Sequence, residues 1–129
     1  MRFFAYVMRN TPAEKVAPMN PITSVPQAID LASKGEIVLL DVREAGEVAT
    51  SGTARGAIHI PLGLLPLRAD PRAPDYDARL TGKPVAVFCA AGARAGRAVE
   101  LLQRFGHEAV NIGGFGDWCG CGGPVQRHA

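Results

Sequence analysis

Two short, unbroken apolar runs stand out along the chain: Ile37-Val38-Leu39-Leu40, set between Gly35 and Asp41, and Val85-Ala86-Val87-Phe88, which follows Pro84 and leads into Cys89. Runs of this length without polar alternation are the pattern of strands covered on both faces, as in a parallel sheet. Asp41 and Cys89 therefore fall at the carboxyl ends of strands. Two weaker strand signals are Ala57-Ile58-His59-Ile60, closed by Pro61, and Ala109-Val110-Asn111-Ile112, ahead of the pair Gly113-Gly114. Between the strands the period changes. Thr23 or Ser24 caps a helix with Pro26 in its first turn, Ala28, Ile29 and Ala32 at helical spacing, and Gly35 as its stop. Over 93–105 apolar residues again recur at helical spacing (Ala95, Ala98, Leu101, Leu102, Phe105), and Gly106 ends the segment. A helical turn over 44–49, a loop over 51–56 and a long irregular connection over 66–77, with Pro66, Pro71 and Pro74, complete the reading. Strands alternating with helices predict an α/β fold, an open parallel sheet flanked by helices on both faces.

Length permits one such domain and not two, since 129 residues suffice for a single core. The expected domain spans 22–126, after an extension over 1–21 that carries Pro12, Pro18 and Pro21, and before a short tail over 127–129. The extension's apolar stretch, Phe3-Phe4-Ala5-Tyr6-Val7-Met8, is shorter than the roughly 7 to 15 residues of a signal-peptide core or the about 20 of a membrane span. A segment lying against the domain, or an extra edge strand, is expected instead, and no membrane is expected as partner. With 47% hydrophobic and 20% charged residues, neither disorder nor a coiled coil is favoured. A net charge of +2, with the basic residues scattered, gives no ground for a nucleic-acid partner. Three cysteines without framework spacing read as reduced thiols, which points to the cytoplasm.

The candidate chemistry concentrates where the second buried strand ends. Cys89, the short loop Ala90-Ala91-Gly92-Ala93 and a helix opening at Arg94 put a thiol outside the carboxyl end of a parallel strand, where open α/β sheets bind ligands. Loop amides can turn inward as an anion-holding nest, and a helix amino terminus adds partial positive charge, so a thiolate or persulfide is stabilised there. Cys89 is thus a candidate nucleophile at neutral pH. Gly92 admits backbone conformations closed to other residues, and the three alanines keep the loop small. Arg94 adds a cation. On these grounds alone, a buried structural cysteine at a strand end explains Cys89 equally well.

Four segments, in order, resemble the rhodanese family. Asp41-Val42-Arg43-Glu44 looks like its D-V-R-E segment after the first buried strand, and Gly56-Ala57-Ile58-His59-Ile60-Pro61 resembles its G-A-I-H-I-P segment. Cys89-Ala90-Ala91-Gly92-Ala93-Arg94 is similar to the C-x-x-G-x-R active-site loop, and Gly113-Gly114 with Trp118, Gly122, Pro124 and Val125 resembles the closing G-G-x-x-x-W-x-x-x-G-x-P-V. Each motif is weak alone, but four in order on independently read elements make coincidence a poor explanation. The resemblance covers 22–125 and implies a rhodanese-like fold and a sulfurtransferase. Its Cys89 would take sulfur from thiosulfate or a persulfide donor and pass it to a thiol or cyanide by double displacement, with ping-pong kinetics. Ala90, Ala91, Gly92, Ala93 and Arg94 would form the substrate-binding loop, with no cofactor and no metal. A small sulfur donor and a thiol acceptor are the implied partners, and a sulfur-donating or sulfur-accepting protein also qualifies.

The departures bear on the substrate. Ala90 and Ala93 stand where active family members often carry basic or polar residues, and Ala95 stands where Ser is frequent. A less basic rim weakens capture of doubly charged thiosulfate and turns attention to protein or low-molecular-weight persulfides. Segment 49–55 also departs, with Thr53-Ala54-Arg55 in place of His-Ile-Pro and one residue inserted.

Asp41 and Arg43, following a buried strand, read as structural support of the site, with Glu44 similar. Arg94 is expected to orient the amide cradle and steady the anion. His59 lies among core residues and reads as a satisfied structural histidine. Trp118 is expected to pack a closing helix on the core. Cys119 and Cys121 fall where the family pattern does not ask for cysteine. As bystander thiols they need no partner, which is the preferred reading; they could also receive sulfur from Cys89 or form a disulfide with it, or, with distant His128, bind a soft metal, although the paired spacing of a zinc site is lacking. Two rival functions stay open. A cysteine phosphatase or arsenate reductase would need five residues between Cys and Arg to hold a tetrahedral oxyanion, whereas Cys89 and Arg94 enclose four. A non-catalytic rhodanese-like module that binds a protein is the other, and retention of Cys89 argues against it.

Overall fold

In the computed structural model, which describes residues 22–127, the elements run as follows. Helix α1 (Val25–Ser33) precedes strand β1 (Val38–Asp41), helix α2 (Ala45–Ser51), strands β2 (Thr53–Ala54) and β3 (Ile58–His59), and helix α3 (Leu65–Arg68). Strand β4 (Val85–Cys89), helix α4 (Ala93–Arg104), strand β5 (Ala109–Gly114), helix α5 (Phe115–Gly120) and strand β6 (Val125–Gln126) follow. The main sheet has four parallel strands in the order β3-β1-β4-β5.

The two unbroken apolar runs are its inner strands, which is why neither alternates in polarity: both faces are covered. Side chains along them still alternate in direction. Val38, Leu40, Val85, Val87 and Cys89 pack with Leu65 of α3 and with Ala95, Ala98 and Leu102 of α4. Leu39, Ala86 and Phe88 pack with Ala28 of α1 and Trp118 of α5. Helices flank both faces, as the sequence pattern predicts, and parity fixes the thiol. Two residues beyond Val87, the Cys89 side chain has to emerge on the α4 side.

Local signals act where they are read. Ser24 caps α1, its Oγ accepting from the Gln27 amide at 3.2 Å, with Pro26 in the first turn. The indole of Trp118, 1% exposed, donates from Nε1 to the Pro124 carbonyl at 2.9 Å. Differences from the expected elements fall where an element is too short to show a period. The 51–56 segment, read as loop, contains β2, which pairs antiparallel with β6 through Thr53–Gln126 and Ala54–Val125. Gly52 permits that approach, because its φ is 78° and a Cβ there would lie 2.6 Å from the Gln126 carbonyl oxygen. The four-residue helix α3 interrupts the connection read as irregular, and α2 runs on to Ser51. The extension over 1–21, with its expected edge strand or docked segment, and tail residues 128–129 lie outside the described residues. Among the described residues, no helix is long and apolar enough to cross a membrane.

The carboxyl end of β1 is locked by a buried ion pair. The Arg43 guanidinium donates from Nε and Nη2 to the Asp41 carboxylate at 2.8 to 3.1 Å. The Arg43 amide and Thr53 Oγ1 donate to the same carboxylate at 3.0 and 2.8 Å. The guanidinium also donates to Ser51 Oγ and the Gly52 carbonyl, and it stacks 4.5 Å from the centroid of the Phe115 ring. Charges this buried (5% and 0% exposed side chains) are tolerable because each is both paired and hydrogen-bonded. The pair thereby ties β1 to β2 through Thr53, and to the end of α2 and to α5 through Arg43. Asp41→Ala would strand the guanidinium without its counter-charge and is expected to lower the stability by about 3–5 kcal/mol. Urea unfolding checks this, and a midpoint unchanged from the parent would refute it.

Candidate active site

Cys89 is the last residue of β4 and Ala93 the first of α4, so Ala90, Ala91 and Gly92 alone make the turn. A turn this tight needs a residue in the left-handed region, and Gly92 supplies it with φ 108°. The helix therefore opens one residue before the expected Arg94. The backbone wraps the sulfur: the Gly92 amide donates to Cys89 Sγ at 2.9 Å and the Ala95 amide at 3.4 Å. Burial pushes the thiol pKa up by penalising the thiolate, but the amides of Ala95, Gly92, Ala91 and Arg94 together outweigh it. The net position is below the ordinary thiol value. The amino-terminal dipole of α4 acts in the same sense.

A bulge in β5 makes the backing of this loop. Val87 lies opposite Asn111, but Cys89 lies opposite Gly114, so β5 carries one residue more than β4 over that step. Gly113, with φ 95°, absorbs it. Gly114 then packs against the loop so closely that a Cβ would overlap the Ala90 carbonyl oxygen. Asn111 ties the two together, its Nδ2 donating to the Gly92 carbonyl at 3.0 Å while its Oδ1 accepts from the Gly113 amide at 2.8 Å. Asp117 Oδ2 accepts from the Gly114 amide at 2.8 Å.

Arg94 contributes to the site in two separate ways. Its backbone amide belongs to the set that acts on the thiol, whereas its guanidinium turns toward α2. There Nη1 and Nη2 donate to Oε1 and Oε2 of Glu47 at 2.9 and 3.1 Å. This fork, more than anything else, holds the Glu47 carboxyl below the usual carboxylate range; partial burial opposes it, and the Glu44 amide adds to it. The Arg94 guanidinium is in turn held more firmly protonated, by Glu47 first. Asp41 and Arg43 sit at the end of the neighbouring strand, their hydrogen bonds running to each other and to 51–53. They join the loop through the backbone, the Val42 amide donating to the Phe88 carbonyl at 3.1 Å. His59 Nε2 lies 2.7 Å from the Arg43 carbonyl oxygen, a structural contact at the same strand ends. Cys119 and Cys121 are exposed, on α5 and at its end, and all three thiols are free. Among the described residues, no group of three or more His, Cys, Asp or Glu gathers that is able to hold a metal ion, and His128 lies outside them.

A strand ending in a cysteine, a three-residue turn and a helix whose first amides enclose the sulfur lead to a comparison with known proteins. The rhodanese-like domain family matches residues 24–121. The chain belongs to that family. Among solved structures, it is similar to a Rhodopseudomonas palustris protein of unknown function described as a possible tyrosine phosphatase. The two share 26% identity over 92% of this chain and 99% of that one, with a TM-score of 0.73. A human single-domain sulfurtransferase is 31% identical over 78% of this chain and 96% of its own, with a TM-score of 0.63. A rhodanese-related protein of Thermoplasma volcanium is 28% identical over 82% of this chain and 97% of its own, with a TM-score of 0.63. No curated protein matches the chain.

Two residues of this rhodanese-like site escaped the sequence reading. Glu47 was legible only as part of a helical turn, though its spacing of three from Glu44 is that of a capping box, which the structure contains. Asn111, a lone amide inside an apolar strand next to a glycine pair, was the visible sign of the bulge. The lowered pKa of Cys89 predicts the pH dependence of its reactivity. The thiolate is the reacting form, so its fraction rises with pH and levels off earlier for a depressed thiol. In a Cys119→Ser, Cys121→Ser background, alkylation of Cys89 by iodoacetamide is expected to reach half its limiting rate below the free-cysteine value of about 8.5. A midpoint at or above that value would contradict the cradle electrostatics.

Proposed function

We propose that this rhodanese-like chain is a sulfurtransferase that carries sulfane sulfur as a persulfide on Cys89. The convergence of backbone amides from the 91–95 segment on a single buried sulfur carries the reading. A thiolate held by amides is both available as a nucleophile and good as a leaving group, and a double displacement requires the same atom to be both. In the first half-reaction the Cys89 thiolate attacks the outer sulfur of a donor RS–SH. The S–S bond breaks, its electron pair leaves with RS⁻, and Cys89–S–SH remains. In the second, an acceptor thiolate R′S⁻ attacks that outer sulfur, giving R′S–SH and restoring the Cys89 thiolate. With thiosulfate as donor the leaving group is sulfite, and with cyanide as acceptor the product is thiocyanate.

Similarity to the human sulfurtransferase supports this reading. The palustris protein's description raises phosphate ester hydrolysis as the rival, but four residues between Cys89 and Arg94 make a shorter loop than the five that enclose a tetrahedral phosphate. The partners proposed are a small sulfur donor and a thiol acceptor, with a sulfur-carrying protein admissible in either role. Cys119 and Cys121 are proposed to be bystanders.

Incubation with a persulfide donor is expected to add the mass of one sulfur atom to the intact protein, and Cys89→Ser to abolish the gain. The adduct is expected to disappear on adding cyanide or a thiol. If no donor leaves sulfur on Cys89, or if an aryl phosphate is hydrolysed instead, the proposal fails. Cys119→Ser with Cys121→Ser is expected to leave the rate of sulfur release to a thiol unchanged, as followed by loss of the adduct. A slowing of tenfold or more would make one of them a relay.

A further inference from the structure

We propose that Glu47 sets the donor specificity of the Cys89 site by cancelling the charge of Arg94, so that the site takes sulfur donors with at most one negative charge and disfavours the thiosulfate dianion. The inference rests on the sulfurtransferase reading and adds the substrate class to it.

The Arg94 side chain offers the only cation within the 89–94 loop, whose other members after Cys89 are alanines and a glycine. The charge of that cation is offset toward an incoming anion, because both of its terminal nitrogens donate to the two oxygens of Glu47 at 2.9 and 3.1 Å. A two-pronged fork is the strongest geometry an arginine can make with a carboxylate. Glu47 is itself fixed. Its Oε1 also accepts from the Glu44 amide at 3.1 Å as the reciprocal half of the capping box that opens α2, so it cannot swing away without uncapping that helix. Arg43, the basic residue at the neighbouring strand end, is consumed by Asp41 and covered by Phe115. The fork is 29% and 40% exposed, on the rim rather than beneath it. Glu44 lies close enough to act on the Arg94 charge as well. Glu44, Glu47 and Arg94 together carry one net negative charge beside the thiolate, and within the 89–94 loop the attraction left for an anion comes from backbone amides.

Amides stabilise the single charge on the sulfur but offer a second one on the donor nothing. The chemistry of transfer does not need that second charge. An alkanethiosulfonate, R–SO₂–S⁻, reacts as thiosulfate does: the Cys89 thiolate attacks the outer sulfur, the S–S bond breaks, and the electron pair leaves on a sulfinate in place of sulfite. It has one charge where thiosulfate has two, so the pair of donors isolates charge from mechanism. Persulfides of zwitterionic thiols such as cysteine, whose ammonium and carboxylate offset each other, belong to the favoured class.

The test compares kcat/KM for thiosulfate, methanethiosulfonate and cysteine persulfide in the parent protein and in Glu47→Gln. Glutamine keeps the shape and still serves the capping box, but it removes the charge and frees that of Arg94. The parent is expected to prefer the monoanion. Glu47→Gln is expected to raise kcat/KM for thiosulfate by about tenfold at low ionic strength, and for the monoanion by about threefold, with both gains shrinking as salt is added. Adding Arg94→Gln to Glu47→Gln again leaves this pair without net charge, and the thiosulfate-to-thiosulfonate ratio is expected to fall back toward that of the parent. A merely structural role for Glu47 would change both donors equally and without salt dependence. If all three donors load Cys89 but Glu47→Gln leaves the ratio unchanged, the specificity inference is overturned and the sulfurtransferase reading stands. If none loads Cys89, both fall.

Discussion

Strand β4 must become helix α4 across three residues, and the molecule makes that turn by folding its own amides around the Cys89 sulfur. Much else in the structure serves this constraint. A main chain that reverses so sharply leaves amide donors without carbonyl partners, as the first turn of any helix does. Ordinarily a capping side chain or water takes them. Here a side chain from the preceding strand takes them, and it is a thiol, so what would be a capping contact becomes an electrostatic field on an ionisable group. The same hydrogen bonds that complete the helix start lower the pKa of Cys89 against the cost of burying it.

The turn cannot stand alone, because a loop of alanines and one glycine has little side-chain mass with which to hold its shape. Its rigidity comes from behind. The extra residue of β5 brings Gly114 against Ala90, where no larger residue fits, and Asn111 holds the Gly92 carbonyl from the same strand. On the other side the end of β1 joins β4 through Val42 and Phe88, and the Asp41–Arg43 pair ties that end to α2, β2 and α5. The polar groups of the strand ends are thus committed to one another, which leaves the thiol as the ionisable group that the loop encloses.

The layered fold was legible because its sheet is covered on both sides. Full burial erases alternation, and an unbroken apolar run ending at Asp41 or Cys89 is the trace it leaves. The position of Cys89 at a strand end, with a tight loop and a helix after it, followed from 85–105 alone. Short-range chemistry was legible too, as with the cap that Thr23 or Ser24 offers at the start of α1, where Ser24 takes the role. What stayed hidden was pairing between distant positions. Thr53–Ala54 has no period to read and finds Val125–Gln126 at the far end of the domain. The partner of Arg94 lies on a different helix, and nothing in the spacing of 47 and 94 announces a contact. Asn111 reads from the sequence only as one residue of a strand, since a bulge is visible only against the strand it is out of step with.

On the proposed function, activation of the sulfur and capture of a donor fall to different parts of the chain. Backbone amides cannot be titrated away, and as part of the fold they need no rearrangement when charge moves onto or off the sulfur. They favour a thiolate whatever the donor. Side chains on the rim decide what reaches it, and on this rim the arginine meets a carboxylate already fixed by its own helix. Changing Glu47, Arg94 or the alanines would therefore alter which anions approach while leaving the amide field on Cys89 in place. Changing Gly92, Gly114 or Asn111 would disturb the field itself. If the proposed transfer holds, a rhodanese-like domain built this way would change its sulfur donor by surface substitution without rebuilding the turn on which the reactivity of the thiol depends.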